Sequence, residues 1–196
     1  VPGTKTACLN AGEVSGEFDT DWRARSKVEH STRARLAPMI AAHYLGKWPA
    51  VVPCKLAMVI DGHDRGMVVW AYPPRETMKR YGGMTWELAR LWIDDGVPKN
   101  AETWLIGQAV RHIRKEHPQV KVLVSYADPS ANHSGVIYRA ANWTEDGMTD
   151  QERKTPRFDY LVDGVRYSRK SHVPNGANWE RVPRVSKHRF VYRLTA

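Results

Sequence analysis

The residues VKVLVSYADP, 120–129, restrict the fold more than any other stretch of this chain. Val120, Val122, Leu123, Val124, Tyr126 and Ala127 make a nearly continuous apolar run of strand length, closed by Asp128-Pro129. A run of this kind reads as a central strand buried on both faces, because a half-solvated strand alternates apolar with polar residues. A strand buried in this way needs covering layers, and so a sheet flanked by helices.

The rest of the chain supplies those layers. AETWLIGQAVRHIRKEH carries Trp104, Leu105, Ala109 and Ile113 at helical spacing. TWELARLWI predicts a strand, DDGVPKN a loop, and CKLAMVIDGHDRGMVVWAY two strands joined by a Gly-containing turn from Asp61 to Gly66. From about Val28 to Tyr44, Leu36, Met39, Ile40 and Tyr44 suit a helix face that Pro38 should kink or divide. Beyond Asp128 a polar loop leads into a helix carrying Tyr138. The tail holds a hairpin around Val162-Asp163-Gly164-Val165, a Pro/Asn/Gly loop over 173–183 and a last strand, KHRFVYRL. Residues 1–26 form a polar N-terminal extension with a short strand near its start, and Val1-Pro2-Gly3 has the look of a cloning remnant. Residues 27–196 then make one α/β domain with a mixed sheet, and 42% hydrophobic content suffices for its core.

No apolar run reaches the length of a membrane span, and VPGTKTACLN lacks the apolar segment of a signal peptide. Cys8 and Cys54 have no metal-type spacing and are expected to stay reduced in an intracellular protein. Net charge is +9, and residues 151–196 hold eleven Lys/Arg against four acids, a surplus of seven. Phe158, Tyr160, Tyr167, Trp179, Phe190 and Tyr192 are interleaved with those cations, a mixture suited to phosphates and unstacked bases, although an ordinary solvated basic face would read the same.

Candidate site residues follow from position. Asp128 ends the central strand, at the edge where open α/β sheets place their sites, and it would equally cap the turn at Pro129. Arg90 lies in a strand otherwise fit for burial and needs an anion such as Glu87, Asp128, a cofactor phosphate or a developing oxyanion, or else serves a plain salt bridge. Trp86, Trp92, Tyr126 and Trp143 flank the expected site, and each is as readily a core aromatic.

The element order resembles the GNAT N-acyltransferase fold, in which two neighbouring strands splay and acyl-coenzyme A enters the gap. Tyr138, Arg139-Ala140-Ala141 and Asn142-Trp143 vary the family's Tyr-x3-Gly-Phe segment, whose Tyr hydroxyl lies near the thioester sulfur. The chain resembles the phage Mom proteins more closely still. AAHYLGKWP, ELARLWIDDGVPKNAETWLIGQAVR, KVLVSYADP, GVIYRAANW and KHRFVYRL look like Mom-family segments in the family's order, across roughly residues 28–196. This resemblance implies a GNAT-like domain with a mixed, mostly antiparallel sheet. It implies an enzyme placing a methylcarbamoyl or acetamide-type group on adenine N6 of double-stranded phage DNA, protecting it from host restriction inside the host cytoplasm. The adenine would be flipped into the site.

The resemblance assigns Arg90, Asp128 and Tyr138 to catalysis, Lys99, Asn100 and Ser125 to cofactor binding, and His43, Tyr44, Asp128 and Tyr138 to an iron ion. Imidazole, carboxylate and phenolate suit iron chemically. One departure is visible. The GNAT loop whose glycines bare backbone N–H groups to pyrophosphate corresponds here to Val97-Pro98-Lys99-Asn100-Ala101-Glu102-Thr103, without glycine and with an acid. Acyl-coenzyme A is therefore a doubtful donor, and the true donor stays open. Tyr138 has two incompatible roles, ligand of iron or proton donor. The competing readings are a conventional GNAT acetyltransferase acting on a small amine or protein and a non-enzymatic basic DNA-binding protein. The oligomeric state is open, with a dimer one candidate.

Overall fold

A computed structural model describes residues 21–168 and 170–194, so the expected strand near the chain start and Cys8 fall outside the described residues. Seven strands form one sheet in the order β1-β2-β3-β4-β5-β10-β6. They are β1 (Ser26–His30), β2 (Cys54–Ile60), β3 (His63–Ala71), β4 (Thr85–Ile93), β5 (Val122–Ala127), β6 (Thr144–Met148) and β10 (His188–Arg193). A second sheet, β8-β7-β9, is built from β7 (Phe158–Val162), β8 (Val165–Tyr167) and β9 (Glu180–Pro183), inserted between β6 and β10. The helices are α1 (Arg33–Ala42), α2 (Arg75–Tyr81), α3 (Ala101–Glu116) and α4 (Val136–Ala140).

The apolar run is β5, paired on both sides and buried along its length except at half-buried Tyr126. β2 and β3 are joined at Asp61-Gly62, both at positive φ (51° and 81°), the left-handed pair of a tight two-residue hairpin turn. α3 buries Leu105, Ile106, Ala109, Val110 and Ile113 against Leu56, Val68, Trp70, Leu88 and Leu123 on one sheet face. α1 packs Leu36, Met39 and Ile40 against Ala57, Met67 and Val69 on the other. Arg35 fixes α1 to the sheet edge: its Nη1 donates to Glu29 at 2.7 Å and its Nε to Asp64 at 2.9 Å.

Four expectations need correction. The helix expected from Val28 begins only at Arg33, with Thr32 accepting from the Arg35 N–H; Val28 belongs to β1, because its side chain joins the α3-side core. Of the kink or division expected at Pro38, the division is absent: Pro38 lies inside one continuous helix. β9 occupies part of the loop expected over 173–183. α2 and β6 were not foreseen: α2 buries no residue fully, and β6, TEDGM, is a polar edge strand, so neither carries an apolar period.

Among the described residues β4 and β5 are the only parallel neighbours in the main sheet, and they are paired from Thr85↔Val122 to Glu87↔Val124. Beyond that register both strands continue but no longer pair. β4 also carries a bulge at Ala89, since Val69 faces Arg90 while Trp70 faces Leu88. One extra residue inverts the in/out parity of a strand. Leu88 and Leu91 therefore share the α3 face, and Glu87, Arg90 and Trp92 share the opposite one.

α4 is tied down by close approach rather than by length. Gly135 precedes it at φ 79°, and a Cβ there would overlap the Phe190 ring. Tyr138 stacks on that ring at 5.1 Å and lies 5.6 Å from Trp143. Gly135→Ala should cost about 2 kcal/mol or more, the left-handed backbone and the steric overlap adding together. Urea unfolding measures this, and a stability equal to wild type would show that α4 has room to shift.

Candidate functional site

The parting of β4 from β5 opens a cavity of about 470 Å³, within the range of small-molecule sites. Leu88, Ala89 and Leu91 to Ile93 form one wall, Tyr126 and Ala127 the other, and Asn132 to Tyr138 close it. His43 and Tyr44, at the end of α1, complete the rim. Tyr44 lies 4.5 Å from the His43 ring and edge-on to His133 at 5.0 Å.

Ser125 spans the gap where backbone pairing has just ended. Its Oγ lies 3.0 Å from the Leu88 carbonyl oxygen and 2.8 Å from the Tyr138 hydroxyl. One serine proton serves only one of these at a time. With Ser125 donating to Leu88, Tyr138 donates to Ser125; with Ser125 donating to Tyr138, the phenol O–H is left free to donate to another group. Burial pushes the Tyr138 hydroxyl up to about 12, so it holds its proton at neutral pH.

The electrostatics come from the face shared by Glu87 and Arg90. Burial pushes the Glu87 carboxyl up to about 7, against the opposing pull of Arg90 and Lys187. Burial lowers Arg90, whose Nε donates to the Lys47 carbonyl at 3.0 Å and Nη1 to the Ala89 carbonyl at 2.5 Å. Asp128 lies 2.8 Å from the Lys187 ammonium and accepts from the Ser130 N–H at 3.0 Å. Lys187 and Ser130 together hold Asp128 below the usual carboxylate range despite burial.

The Mom protein family matches residues 27–196. The chain belongs to that family. A Mom relative, the methylcarbamoylase Mom of Escherichia phage Mu, is 39% identical over 92 residues, which are 43% of this chain and 38% of that protein. The aligned part thus spans less than half of the relative. Among solved structures, an IAA acetyltransferase from Bacillus cereus superposes with a TM-score of 0.56 at 12% identity, covering 86% of this chain and 99% of that one. A GNAT family acetyltransferase from Elizabethkingia anophelis, with acetyl-CoA bound, does so with 0.55 at 9% identity, covering 87% and 99%. The Mom chain therefore has the GNAT fold expected from the element order.

The Mom-family segments converge unevenly. Tyr138, His43 and Tyr44 line the cavity, while Arg90 and Asp128 stand outside its lining, near enough to bias the Tyr44 hydroxyl. The partner of Arg90 is a pair of carbonyl oxygens rather than a carboxylate, because the bulge at Ala89 turns that carbonyl toward it. Trp92 and Tyr126 reach the cavity; Trp86 and Trp143 are buried in the core beneath α3 and α4. Ser125, 1% exposed, has no surface to offer a cofactor and instead positions Tyr138. Lys99 and Asn100 are exposed at the start of α3, and Glu102 lies on the cavity wall.

His43, Tyr44, Asp128 and Tyr138 suit iron in type, but His43 and Asp128 already hold other partners. His43 Nδ1 accepts the Leu45 N–H at 3.1 Å, which leaves the ring proton on Nε2, and burial first, then Arg90 and His133, lower its pKa to about 4. A ligating histidine donates its other ring N–H instead. Asp128 is already neutralised by Lys187. Two residues that mattered were not foreseen as site groups: Lys187, read only as the start of the last strand, and Glu87, weighed only as a partner for Arg90. A Glu facing the same side as Arg90 despite odd spacing is the signal, and it needs the bulge.

Glu87 and His43 give opposite pH dependences. Glu87 binds its proton more tightly folded than unfolded, so its contribution is full below about 4.5 and is lost as pH rises through about 7. His43 binds its proton less tightly folded, so its contribution is present above about 6.5 and is lost as pH falls toward 4. Glu87→Gln should therefore gain about 2 kcal/mol at pH 8 relative to pH 4, leaving stability that rises from pH 4 to 6.5. Denaturant unfolding across pH reads this, and parallel wild-type and Glu87→Gln curves would place Glu87 in contact with water.

Proposed function

We propose that this protein modifies adenine in double-stranded DNA at the exocyclic N6, attaching a small carbamoyl or acetamide-type group, as the methylcarbamoylase name of its phage Mu relative suggests. The observation that carries the reading is the cavity in a Mom-family chain: Tyr44, Trp92 and Tyr126 on its walls, a protonated Tyr138 inside. Aromatic walls interleaved with polar side chains suit a flat heterocycle extruded from its duplex.

The N6 amine is conjugated into the ring and weakly nucleophilic, so its proton must leave as the new bond forms. For a carbamoyl group, the N6–C bond would form to the donor's carbonyl carbon, and for an acetamide-type group to its methylene carbon; in each case the bond from that carbon to the leaving group breaks. Glu87, with a pKa near neutrality, is matched to taking up the N6 proton through intervening groups. Tyr138 is matched to protonating the leaving group or the developing oxyanion, with Ser125 holding its orientation. Arg90 keeps positive charge behind Tyr44. Because His43, Asp128 and Tyr138 already hold other partners, no step is assigned to a metal. The fold neighbour with acetyl-CoA bound makes an acyl thioester a reasonable donor class, held through Lys99 and Asn100. Glu102 and the missing glycines argue for fewer phosphate contacts than in that fold generally.

The second sheet fits the duplex. Arg181 lies over Phe158 at 4.0 Å and Lys170 over Trp179 at 4.7 Å, and Trp179 is 41% exposed. Several other cations of the tail are already matched: Arg184 and Arg166 by Asp159, Arg157 by Asp150 and Lys187 by Asp128. Residue 169 lies outside the described residues. The surface available to phosphates is therefore smaller than the tail's surplus suggests. The site of action would be inside the phage-infected cell.

Nucleoside mass analysis of DNA from cells expressing the protein should show a heavier adenine nucleoside. Tyr138→Phe should abolish it while leaving the protein folded, since only a hydrogen bond of about 1 kcal/mol is lost. Unmodified adenine under full expression would overturn the reading, and full modification by Tyr138→Phe would make Tyr138 a packing residue. A visible charge-transfer band lost in that variant would assign Tyr138 to iron instead.

DNA affinity should fall steeply with salt, and Lys170→Ala with Arg181→Ala should flatten the log–log slope by up to about 2. Filter binding at graded salt measures it, and an unchanged slope would mean that the duplex docks elsewhere.

A further inference from the structure

On the far half of α3 from the cavity, three residues from three elements meet. His30 ends β1, Cys54 begins β2 and His112 lies on α3, and their ligand atoms all fall within 4.8 Å of one another. The register explains why. His30 pairs with Leu56, so Cys54, two residues along β2, projects from the same sheet face as His30, diagonally opposite it. That face is the one α3 covers, and His112 lies seven residues beyond buried Leu105, on the same helix stripe. The His30 and His112 rings are 4.5 Å apart, edge to face.

The polar atoms in this cluster are unspent. The Nε2 atoms of His112 and of neighbouring His117 are buried without a hydrogen-bond partner, which is costly for a polar nitrogen. Cys54 is free, and only 2% exposed. Burial pushes its thiol up to about 12, so without a cation it stays protonated and inert. The candidate site near β4 and β5 uses none of these residues. Glu102 on the cavity wall and His112 are separated by about 15 Å of helix.

We propose that His30, Cys54 and His112 form a binding site for a thiolate- and imidazole-preferring divalent cation of the zinc type, with His117 or solvent as the fourth ligand. Two imidazoles and one thiolate are a normal zinc donor set, and ligand atoms around tetrahedral zinc lie about 3.4 Å apart, so a modest contraction closes the site. His30 is exposed and free to make that adjustment. Binding displaces the Cys54 proton to solvent and forms a metal–sulfur bond, with no change of oxidation state. The bond would clamp α3 to the β1–β2 edge, and α3 is the helix whose other end borders the cavity. The inference does not depend on the proposed DNA chemistry.

The test is titration of the chelator-stripped full chain with Co²⁺. One equivalent should give visible ligand-field bands and a near-ultraviolet sulfur-to-metal band, both discharged by Zn²⁺. Cys54→Ser should remove the sulfur band, and Cys8→Ser and Tyr138→Phe should keep it. His30→Gln, at an exposed position that the fold tolerates, should weaken Co²⁺ binding at least about tenfold and abolish the rise in Tm that Zn²⁺ gives the wild type. No saturable binding near one equivalent, a sulfur band that survives Cys54→Ser, or His30→Gln binding like wild type would each overturn the site. Loss of the band in Tyr138→Phe would move the metal to the cavity.

Discussion

The parallel pairing of β4 with β5 ends at Glu87↔Val124, and the cavity depends on that ending. Two parallel strands that stop pairing leave unpaired backbone groups, and these need other partners. Here Ser125 reaches across to the Leu88 carbonyl, and the bulge at Ala89 directs another carbonyl to Arg90. The gap is therefore kept open by specific hydrogen bonds. The same bulge inverts parity in β4, so that Glu87 and Arg90 come to one face although three residues apart. Tyr138, Glu87, Arg90 and the cavity walls thus follow from one local departure from a regular sheet.

Burial then sets the chemistry. Tyr138, Glu87 and His43 are all held in their neutral or near-neutral forms chiefly by desolvation. Asp128 goes the other way, because Lys187 and Ser130 stabilise its charge more than burial penalises it. A phenol with its proton lines the cavity, while a carboxyl poised near neutrality and an ionised aspartate stand outside its lining. The second sheet is separate from this arrangement in sequence and in structure. It meets solvent with cation–aromatic pairs, while much of the tail's formal charge is spent on internal ion pairs.

Legibility followed the strength of local pattern. β5, β4, α3 and the β2–β3 hairpin were clear because their apolar residues recur at strand or helix period over six or more positions. α2 and β6 were not, since neither buries an apolar stripe. Family segments brought His43, Tyr44, Asp128 and Tyr138 into view together, and the structure does set His43, Tyr44 and Tyr138 on one cavity. It moved Ser125 from cofactor contact to support, and Trp86 and Trp143 from the site to the core.

By itself the sequence determined an α/β sheet with a buried central strand ending in Asp128, a basic aromatic tail and membership of a family of order-specific segments. The sheet and the tail are properties of short-range period and composition, which neighbouring residues express without help, while the family rests on the likeness of whole segments. Tertiary structure alone decided which side chains meet. The β4 bulge brought Glu87 to the face of Arg90, the β4–β5 parting turned Ser125 toward Tyr138, and strand register with helix packing brought Cys54 beside His30 and His112. Spacing along the chain says nothing of such meetings, because each depends on register across a sheet, where a one-residue shift sends every side chain to the other face.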